Sequence, residues 1–466
     1  MKTDVTTSRL GPLREDGMCY YDSALDLVGY TPLVRLSRIA EGIRCVMLAK
    51  VEFVNPAGSV KDRPALAMIY DAEQRGLLKP GGTIVEPTSG NTGVGLAMVA
   101  AIKGYRCILV MPDKVSEEKV RLLKAYGAEV VSTPTKVPAS SPESYYGVAA
   151  KLSSEIPGAF QPNQFMNQMN PVAHERTTGP EIWDQTAGKI THYVSGIGTG
   201  GTISGVAHYL KKKNPNIVVV GADPEGSIYS GDTAKSYKVE GIGEDFLPAT
   251  VDLKAIDRIE RVSDKESFLM ARRICREEGL LVGGSSGTAC VAALRVAREL
   301  GPEAIVVVVL PDNGRGYLTK IFNDEWMRAN GFLGEAGRSA TVGQVLRAKG
   351  EVPTMITVAP SDSVKRAVEL MREFQISQIP VMDAGEQVGS VNEVAVMQLI
   401  YDRSDIVHAE VRDVMGHPFP VLDEHAEVEQ AYKALSLGHS AVVVSRAGAP
   451  VGVLTKMDII TYLSGN

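Results

Sequence analysis

The stretch Asn55–Ala65, NPAGSVKDRPA, sets one lysine, Lys61, among turn residues just ahead of the apolar run ALAMIY. A lysine in that place is either a solvated charge at a helix start or a reacting amine, and the stretch alone leaves both open. Three clusters of glycine and hydroxyl residues supply company for it. TSGNTG, Thr88–Gly93, follows TIVEP and opens a long apolar segment. Free N–H groups and the helix dipole at such a junction favour an anion, and the plain alternative is a capped helix. SGIGTGGT, Ser195–Thr202, holds Gly196, Gly198 and Gly201 in G-x-G-x-x-G spacing, with Asp223 closing the next apolar run. That pattern suits a dinucleotide, whereas the hydroxyls of Thr199 and Thr202 suit a terminal phosphate with several oxygens to satisfy. In GGSSG, Gly283–Gly287, Ser285 is either a helix cap or a hydroxyl aimed at a buried heteroatom.

An amine in a Gly/Ser turn together with a phosphate cradle is the pair that pyridoxal phosphate requires, one for its aldehyde carbon and one for its anion. A dinucleotide oxidoreductase would leave Lys61 and TSGNTG without a role. The seven histidines show no metal spacing and no paired carboxylate, so no metal site is expected, and His174 in NPVAHER reads as structural. Neither G-x-S-x-G nor H-E-x-x-H occurs.

These residues need a framework. The chain has 466 residues, a length that suits about three domains. It is 44% hydrophobic and 22% charged, as soluble globular proteins are. A net charge of −6, with no basic block, argues against nucleic acid or an anionic membrane as partner. Five scattered cysteines with no Cys-x-x-Cys pair fit thiols in a reducing cytosol. The polar start MKTDVTTSRLGPLRED has no hydrophobic signal core, and the longest apolar run, AIVVVVL, is too short for a bilayer. A cytoplasmic location is therefore expected.

From about residue 25 to 325, apolar β-branched runs alternate with helical patterns. The strand candidates are CVMLAKVE, TIVEP, CILVMP, EVVST, HYVSG, IVVVGAD and AIVVVVLP. That alternation predicts an α/β fold of parallel sheet covered by helices, with ligands at the carboxyl ends of the strands. The expected domains are a catalytic region over 1–325, a glycine-bearing linker over 326–337, and two copies of an internal repeat over 338–404 and 405–466.

NPAGSVKDR, EPTSGNTG, SEEKVRLLKAYGAEV, GIGTGGT, EGIGEDF and GGSSG, in this order, resemble the fold type II (tryptophan synthase β-like) family of pyridoxal-phosphate enzymes over about residues 20–325. The C-terminal repeat resembles a tandem pair of CBS domains, a Bateman module. The combination is similar to the branch of the family that makes L-cystathionine from L-serine and L-homocysteine. Cysteine synthases, which use O-acetylserine and sulfide, share the catalytic motifs but usually end before such a repeat. The resemblance implies that Lys61 bonds the cofactor and later moves the Cα proton, a role that burial should favour by lowering its pKa. It implies that Asn91 bonds the cofactor's 3′-oxygen, that Gly198, Thr199, Gly200, Gly201 and Thr202 cradle its phosphate, and that Ser285 faces its ring nitrogen. It places the substrate on Thr88, Ser89, Gly90, Thr92, Gln164 and Gly241. For the repeat it implies S-adenosylmethionine as an effector at Ile376, Ser377, Gln378, Val453, Thr455 and Asp458, in a homodimer or homotetramer.

Three departures matter. Animal members carry a haem segment with a Cys-Pro and a histidine ligand; the first 25 residues here have Cys19 and neither of these, so no haem is expected. The family often has tyrosine where this chain has Glu244 and Phe165, both on the side implied for the second substrate. The pattern T-x-x-D is kept in the second repeat as Thr455 and Asp458, while the first has Val391, Asn392 and Glu393, which implies one adenosyl site rather than two. The reading from another class is a non-catalytic adenosyl-ligand sensor on an inactive scaffold, against which the intact Lys61, Asn91 and Ser285 count.

Overall fold

The computed structural model describes residues 12, 17–88, 90–113, 115, 117–134, 137, 138, 141–333, 340–349 and 355–464, and the chain divides into two units, Met1–Phe332 and Leu333–Asn466. In the first unit the strands are β1 (Leu33–Arg35), β2 (Val46–Val51), β3 (Thr83–Pro87), β4 (Arg106–Pro112), β5 (Glu129–Thr133), β6 (Ala159–Phe160), β7 (His192–Gly196), β8 (Val218–Pro224), β9 (Arg258–Val262) and β10 (Ile305–Leu310). Six form a sheet in the order β1-β2-β10-β7-β8-β9, parallel apart from β1, and four form an all-parallel sheet in the order β5-β4-β3-β6. The seven strands expected from the sequence are all present. β1 and β6 are too short, and β9 (RIERV) too charged, to show an apolar run.

The helices between them are α1 (Asp62–Gln74), α2 (Asn91–Lys103), α3 (Glu117–Ala125), α4 (Tyr145–Glu155), α5 (Met169–Arg176), α6 (Thr178–Gln185), α7 (Gly201–Lys213), α8 (Asp264–Glu278), α9 (Gly284–Ala297) and α10 (Asp324–Ala329). α9 is buried on every side except Arg295, as its all-round apolar GSSGTACVAALRVA requires. One core packs α1 and α2 against the four-stranded sheet, and another packs α7 against the six-stranded sheet. Strand ends deliver the chain to helix starts, so α1, α2, α7 and α9 open at or beside the residues singled out above.

The expected linker begins later than residue 326. Met327 is fully buried, and the rings of Trp326 and Phe332 stand 5.8 and 5.0 Å from that of Phe268, so this segment packs onto the first unit.

The second unit contains α11 (Val342–Ala348), α12 (Val364–Phe374), β11 (Gln378–Asp383), β12 (Glu386–Asn392), α13 (Glu393–Asp402), β13 (Val421–Asp423), α14 (Val428–Ser436), β14 (Ala441–Arg446), β15 (Ala449–Thr455) and α15 (Lys456–Ser464). Its two repeats have separate cores, and each takes a piece from outside the expected bounds. Ala340, Val342, Val345 and Leu346 pack with Val428, Val442, Leu454 and Ile459 of the second repeat. Val411 packs with Val358, Val364 and Ile379 of the first. The bounds 338–404 and 405–466 therefore follow the sequence repeat, while the cores exchange their leading segments.

Candidate active site

Lys61 is placed by the backbone on both sides. The Val60 N–H donates to the Pro311 carbonyl at 2.8 Å, tying the loop to the end of β10, and α1 begins with the next residue. Two residues on, Arg63 is buried and donates to Glu52 (2.7 Å) and Glu181 (2.6 Å). Glu181 also accepts from Lys50 at 2.7 Å. Buried charges of this kind are tolerable only as a paired set, so the cluster fixes the first turn of α1 and with it the lysine. Lys61 itself lines a cavity of about 330 Å³. Desolvation lowers its pKa to about 8, against the opposing pull of the Glu244 and Asp312 charges. Only a neutral amine attacks a carbonyl or accepts a proton, so the burial expected from the sequence does chemical service.

Across the cavity lies the start of α7. Gly200 has φ +80°, and a Cβ there would lie 2.3 Å from the Val251 Cβ. A Cβ on Gly201 would lie 2.0 Å from the Asn170 Oδ1. Only glycine lets the backbone N–H groups crowd to this point, and the helix dipole adds positive potential there. The hydroxyls are held from behind. Asn170 Nδ2 donates to Thr199 Oγ1 at 3.0 Å, and Thr202 Oγ1 meets His174 Nε2 at 3.2 Å. His174 Nδ1 meets Thr178 Oγ1 at 2.8 Å, and burial, with Arg63 and Lys61 nearby, pushes its pKa well below the ordinary value. A neutral histidine that positions a threonine agrees with its structural reading. Asn170 was not singled out by the sequence, since a buried asparagine in a helix start has no pattern of its own.

The third wall is the loop from β3 to α2. Thr88, Gly90, Asn91 and Thr92 all line the cavity, while Ser89 lies outside the described residues. The Thr92 hydroxyl bonds Gln164, whose backbone N–H, with that of Asn163, donates to the Glu86 carboxylate at 3.0 and 2.8 Å. Burial lifts the Glu86 pKa to about 7 against those two bonds. Asn91 Nδ2 donates to Asp312 Oδ2 at 2.8 Å, which also accepts from the Tyr317 hydroxyl at 2.8 Å. Ser285, in the first turn of α9, and Gly241, with φ +86°, complete the lining. A Cβ on Gly198 would lie 2.6 Å from the Gly241 carbonyl, so these two loops touch.

Glu240 pairs with both Lys119 and Lys320 at the rim, an arrangement that sequence reading missed because its partners are 121 and 80 residues away. Glu244 also lines the cavity, and the Phe165 ring packs on Phe246 at 5.3 Å. Asp223, the acid of the dinucleotide pattern, is not in this lining. Its Oδ2 accepts from the Ser230 N–H at 2.8 Å, so it closes a turn. Among the described residues no His, Cys, Asp or Glu group is placed to hold a metal ion.

An amine titrating near 8, a glycine cradle at a helix start, a neutral hydroxyl and an amide share one cavity, and this set fits pyridoxal phosphate. Ser285 brings its hydroxyl to the same cavity.

In the second unit, Ile376 and Ser377 line a cavity of about 620 Å³ with Glu393, Val396 and Met397. Gln378 lies on β11, and its Oε1 is buried without a partner. Thr455 donates to Asp458 Oδ2 through its N–H (2.6 Å) and hydroxyl (2.7 Å). Lys349 Nζ donates to the same oxygen and to the Val453 carbonyl, each at 3.1 Å.

The fold and the site define a pyridoxal-phosphate-dependent enzyme with two CBS domains. A family model described as pyridoxal-phosphate dependent enzyme matches residues 24–312, and one described as CBS domain matches 350–402 and 411–465. The chain belongs to the cystathionine β-synthase family. It is 41% identical to the cystathionine β-synthase of Dictyostelium discoideum over 95% of this chain and 92% of that one. It is 41% identical to that of Oryctolagus cuniculus over 94% and 84%. A cysteine synthase of Staphylococcus aureus is 47% identical over 64% of this chain and 96% of its own. Among solved structures, a hydrogen sulfide-producing enzyme from Fusobacterium nucleatum aligns with a TM-score of 0.61 and 37% identity, over 64% of this chain and 98% of its own.

Proposed function

We propose that this chain exchanges the hydroxyl of L-serine for the thiol of L-homocysteine, giving L-cystathionine and water. The observation that carries the reading is Lys61, an amine whose pKa burial lowers to about 8, in a cavity that also holds the glycine cradle of α7. When bound there, pyridoxal phosphate supplies an electron sink for the pair released at Cα. Lys61 holds the cofactor's carbon and then takes and returns the Cα proton. Gly198, Thr199, Gly200, Gly201 and Thr202 hold its phosphate, Asn91 its 3′-oxygen and Ser285 its ring nitrogen. Thr88, Ser89, Gly90 and Thr92 receive the substrate carboxylate, with Gln164 fixing the Thr92 hydroxyl and Gly241 bounding the far side.

Similarity to a cysteine synthase supports a second reading, O-acetylserine with sulfide. The matches to enzymes named cystathionine β-synthase, which run over most of both chains, favour the first. For the second unit, S-adenosylmethionine is the proposed effector, with Thr455 and Asp458 taking its ribose hydroxyls. We further propose a cytoplasmic homodimer or homotetramer without haem. The haem expectation rests on the first 25 residues, of which 1–11 and 13–16 lie outside the described residues. No helix among the described residues is long and apolar enough to cross a membrane.

The test is an absorption spectrum of purified protein before and after L-serine, then L-homocysteine. The cofactor band should shift with serine and return with homocysteine, and Lys61→Ala should lose both changes. A band that ignores serine and responds to O-acetylserine overturns the first reading in favour of the second.

A further inference from the structure

We propose that Glu244 carries the proton from the incoming thiol to the departing hydroxyl. The proposal rests on the β-replacement reading and assigns the one proton path which that reading leaves open. Replacing a hydroxyl by a thiol needs a proton delivered to oxygen and a proton removed from sulfur. Lys61 is engaged with the proton on Cα.

The cavity wall offers few other groups that titrate. They are Lys119, Glu240, Glu244 and the phenols of Tyr145, Tyr237 and Tyr317. Lys119 and Glu240 neutralise each other, and Glu240 pairs again with Lys320. Burial raises all three phenols, and Tyr317 already donates to Asp312. Among the described residues no histidine lines the cavity. Glu244 is different. Among the described residues its carboxylate forms no ion pair within 4 Å, while its backbone is pinned at both ends. Its N–H donates to Ser227 Oγ at 3.1 Å, and its carbonyl accepts from the Ile228 N–H at 3.1 Å. The side chain therefore hangs from a fixed point. It lies near enough to Lys61 for each charge to shift the other's titration. The Asp245 charge also acts on it, and the phenols of Tyr145, Tyr146, Tyr229 and Tyr237 are the other titratable groups that feel it. Burial first, and Asp245 second, lift its pKa to about 7 against the Lys61 charge. A carboxyl poised there can give a proton in one half of the cycle and take one in the other.

The balance closes. Lys61 as amine takes the Cα proton, and the electron pair of that bond drives out the hydroxyl. Glu244 as acid gives its proton to the oxygen as the Cβ–O bond breaks, so water leaves. Glu244, now a carboxylate, takes the thiol proton while the sulfur pair forms the Cβ–S bond. Lys61 returns its proton to Cα, and both side chains are restored.

The experiment compares wild type with Glu244→Gln, both loaded with pyridoxal phosphate, over four substrate pairs. O-Acetyl-L-serine leaves as acetate and needs no proton. An arenethiol that ionises below pH 7 brings none to remove. With L-serine and L-homocysteine, turnover should fall about 10²–10³-fold in Glu244→Gln, and with O-acetylserine and the arenethiol it should stay within about threefold of wild type. The mixed pairs should lose only the half that still needs a proton. Glu244→Asp, with the acid one methylene shorter, should recover part of the serine and homocysteine rate. In wild type, kcat/KM for homocysteine should rise with pH through about 7, and Glu244→Gln should lose that limb. Equal losses over all four pairs, or wild-type turnover of serine and homocysteine by Glu244→Gln, overturn the assignment while leaving the reaction standing. Wild type that never turns over serine with homocysteine overturns the reaction and the assignment together.

Discussion

Replacing Lys61 by methionine removes an amine that the fold has to desolvate, so the cofactor-free protein should become more stable as it becomes inactive. The size follows from the pKa, which falls from 10.5 to about 8 in the cavity wall. A shift of that size means that holding the charged form costs at most about 3.4 kcal/mol at pH 7. Lys61 is half-buried, and solvent at the cavity mouth brings the observed value below that bound. The sign is set by proton counts. Between pH 8 and 10.5 the unfolded chain binds more protons at this site than the folded one, so wild-type stability rises with pH there. Below pH 8 both states are protonated and the full cost stands. The advantage of Lys61→Met should therefore shrink from about 3.4 kcal/mol at pH 7 to about 1.4 kcal/mol at pH 9.5, both as upper bounds. Urea unfolding of the cofactor-free proteins, followed by tryptophan fluorescence, measures it. The chain's two tryptophans, Trp183 and Trp326, both lie in the first unit, so the signal reports the unit that holds the site. Equal midpoints for the two proteins, or an advantage that does not change between pH 7 and 9.5, would refute the claim that burial tunes this amine.

Two other perturbations test the cradle and the effector site. Gly200→Ala puts a side chain at φ +80° and within 2.3 Å of Val251, a strain of about 1–3 kcal/mol before the clash is relieved. Pyridoxal phosphate should then bind about tenfold more weakly or worse, as measured by equilibrium dialysis of the variant, and unchanged binding would mean that the phosphate lies elsewhere. Asp458→Ala deletes the acceptor shared by Thr455 and Lys349, and the heat of S-adenosylmethionine binding should disappear in calorimetry. A preserved isotherm would mean that the effector binds away from Asp458.

The Lys349 contact bears on how an effector would enter. The lysine already donates to the Asp458 oxygen that ribose hydroxyls would need, and to the Val453 carbonyl beside it. Lys349 is part-exposed and the pair gains little by itself, so a ligand that makes two hydroxyl bonds can displace it. Among the described residues the first repeat shows no such pair. Its Asn392 caps α13 by accepting from the Ala395 N–H at 2.8 Å.

Much of this molecule is legible in the order of its residues. Seven apolar runs became strands because parallel strands buried on both faces must be apolar throughout, and a run such as AIVVVVLP admits no other place. Lys61, TSGNTG, GIGTGGT and GGSSG were legible because small residues at strand-to-helix junctions have few other uses. What the sequence could not show is which junctions meet. Asp223 completes a dinucleotide pattern on paper and closes a turn in the fold. Asp312, silent in the sequence, stands just past β10 and joins Asn91, 221 residues earlier in the chain, to Tyr317. Glu244 reads in sequence as a departure from a common tyrosine; only folding shows that it shares a cavity with Lys61 while Glu240, four residues earlier, is already paired. Local pattern depends on neighbours along the chain and is written there. Burial, partners and proton affinity depend on neighbours in space, and those are decided when β10, α1, α2 and α7 bring their ends to one cavity.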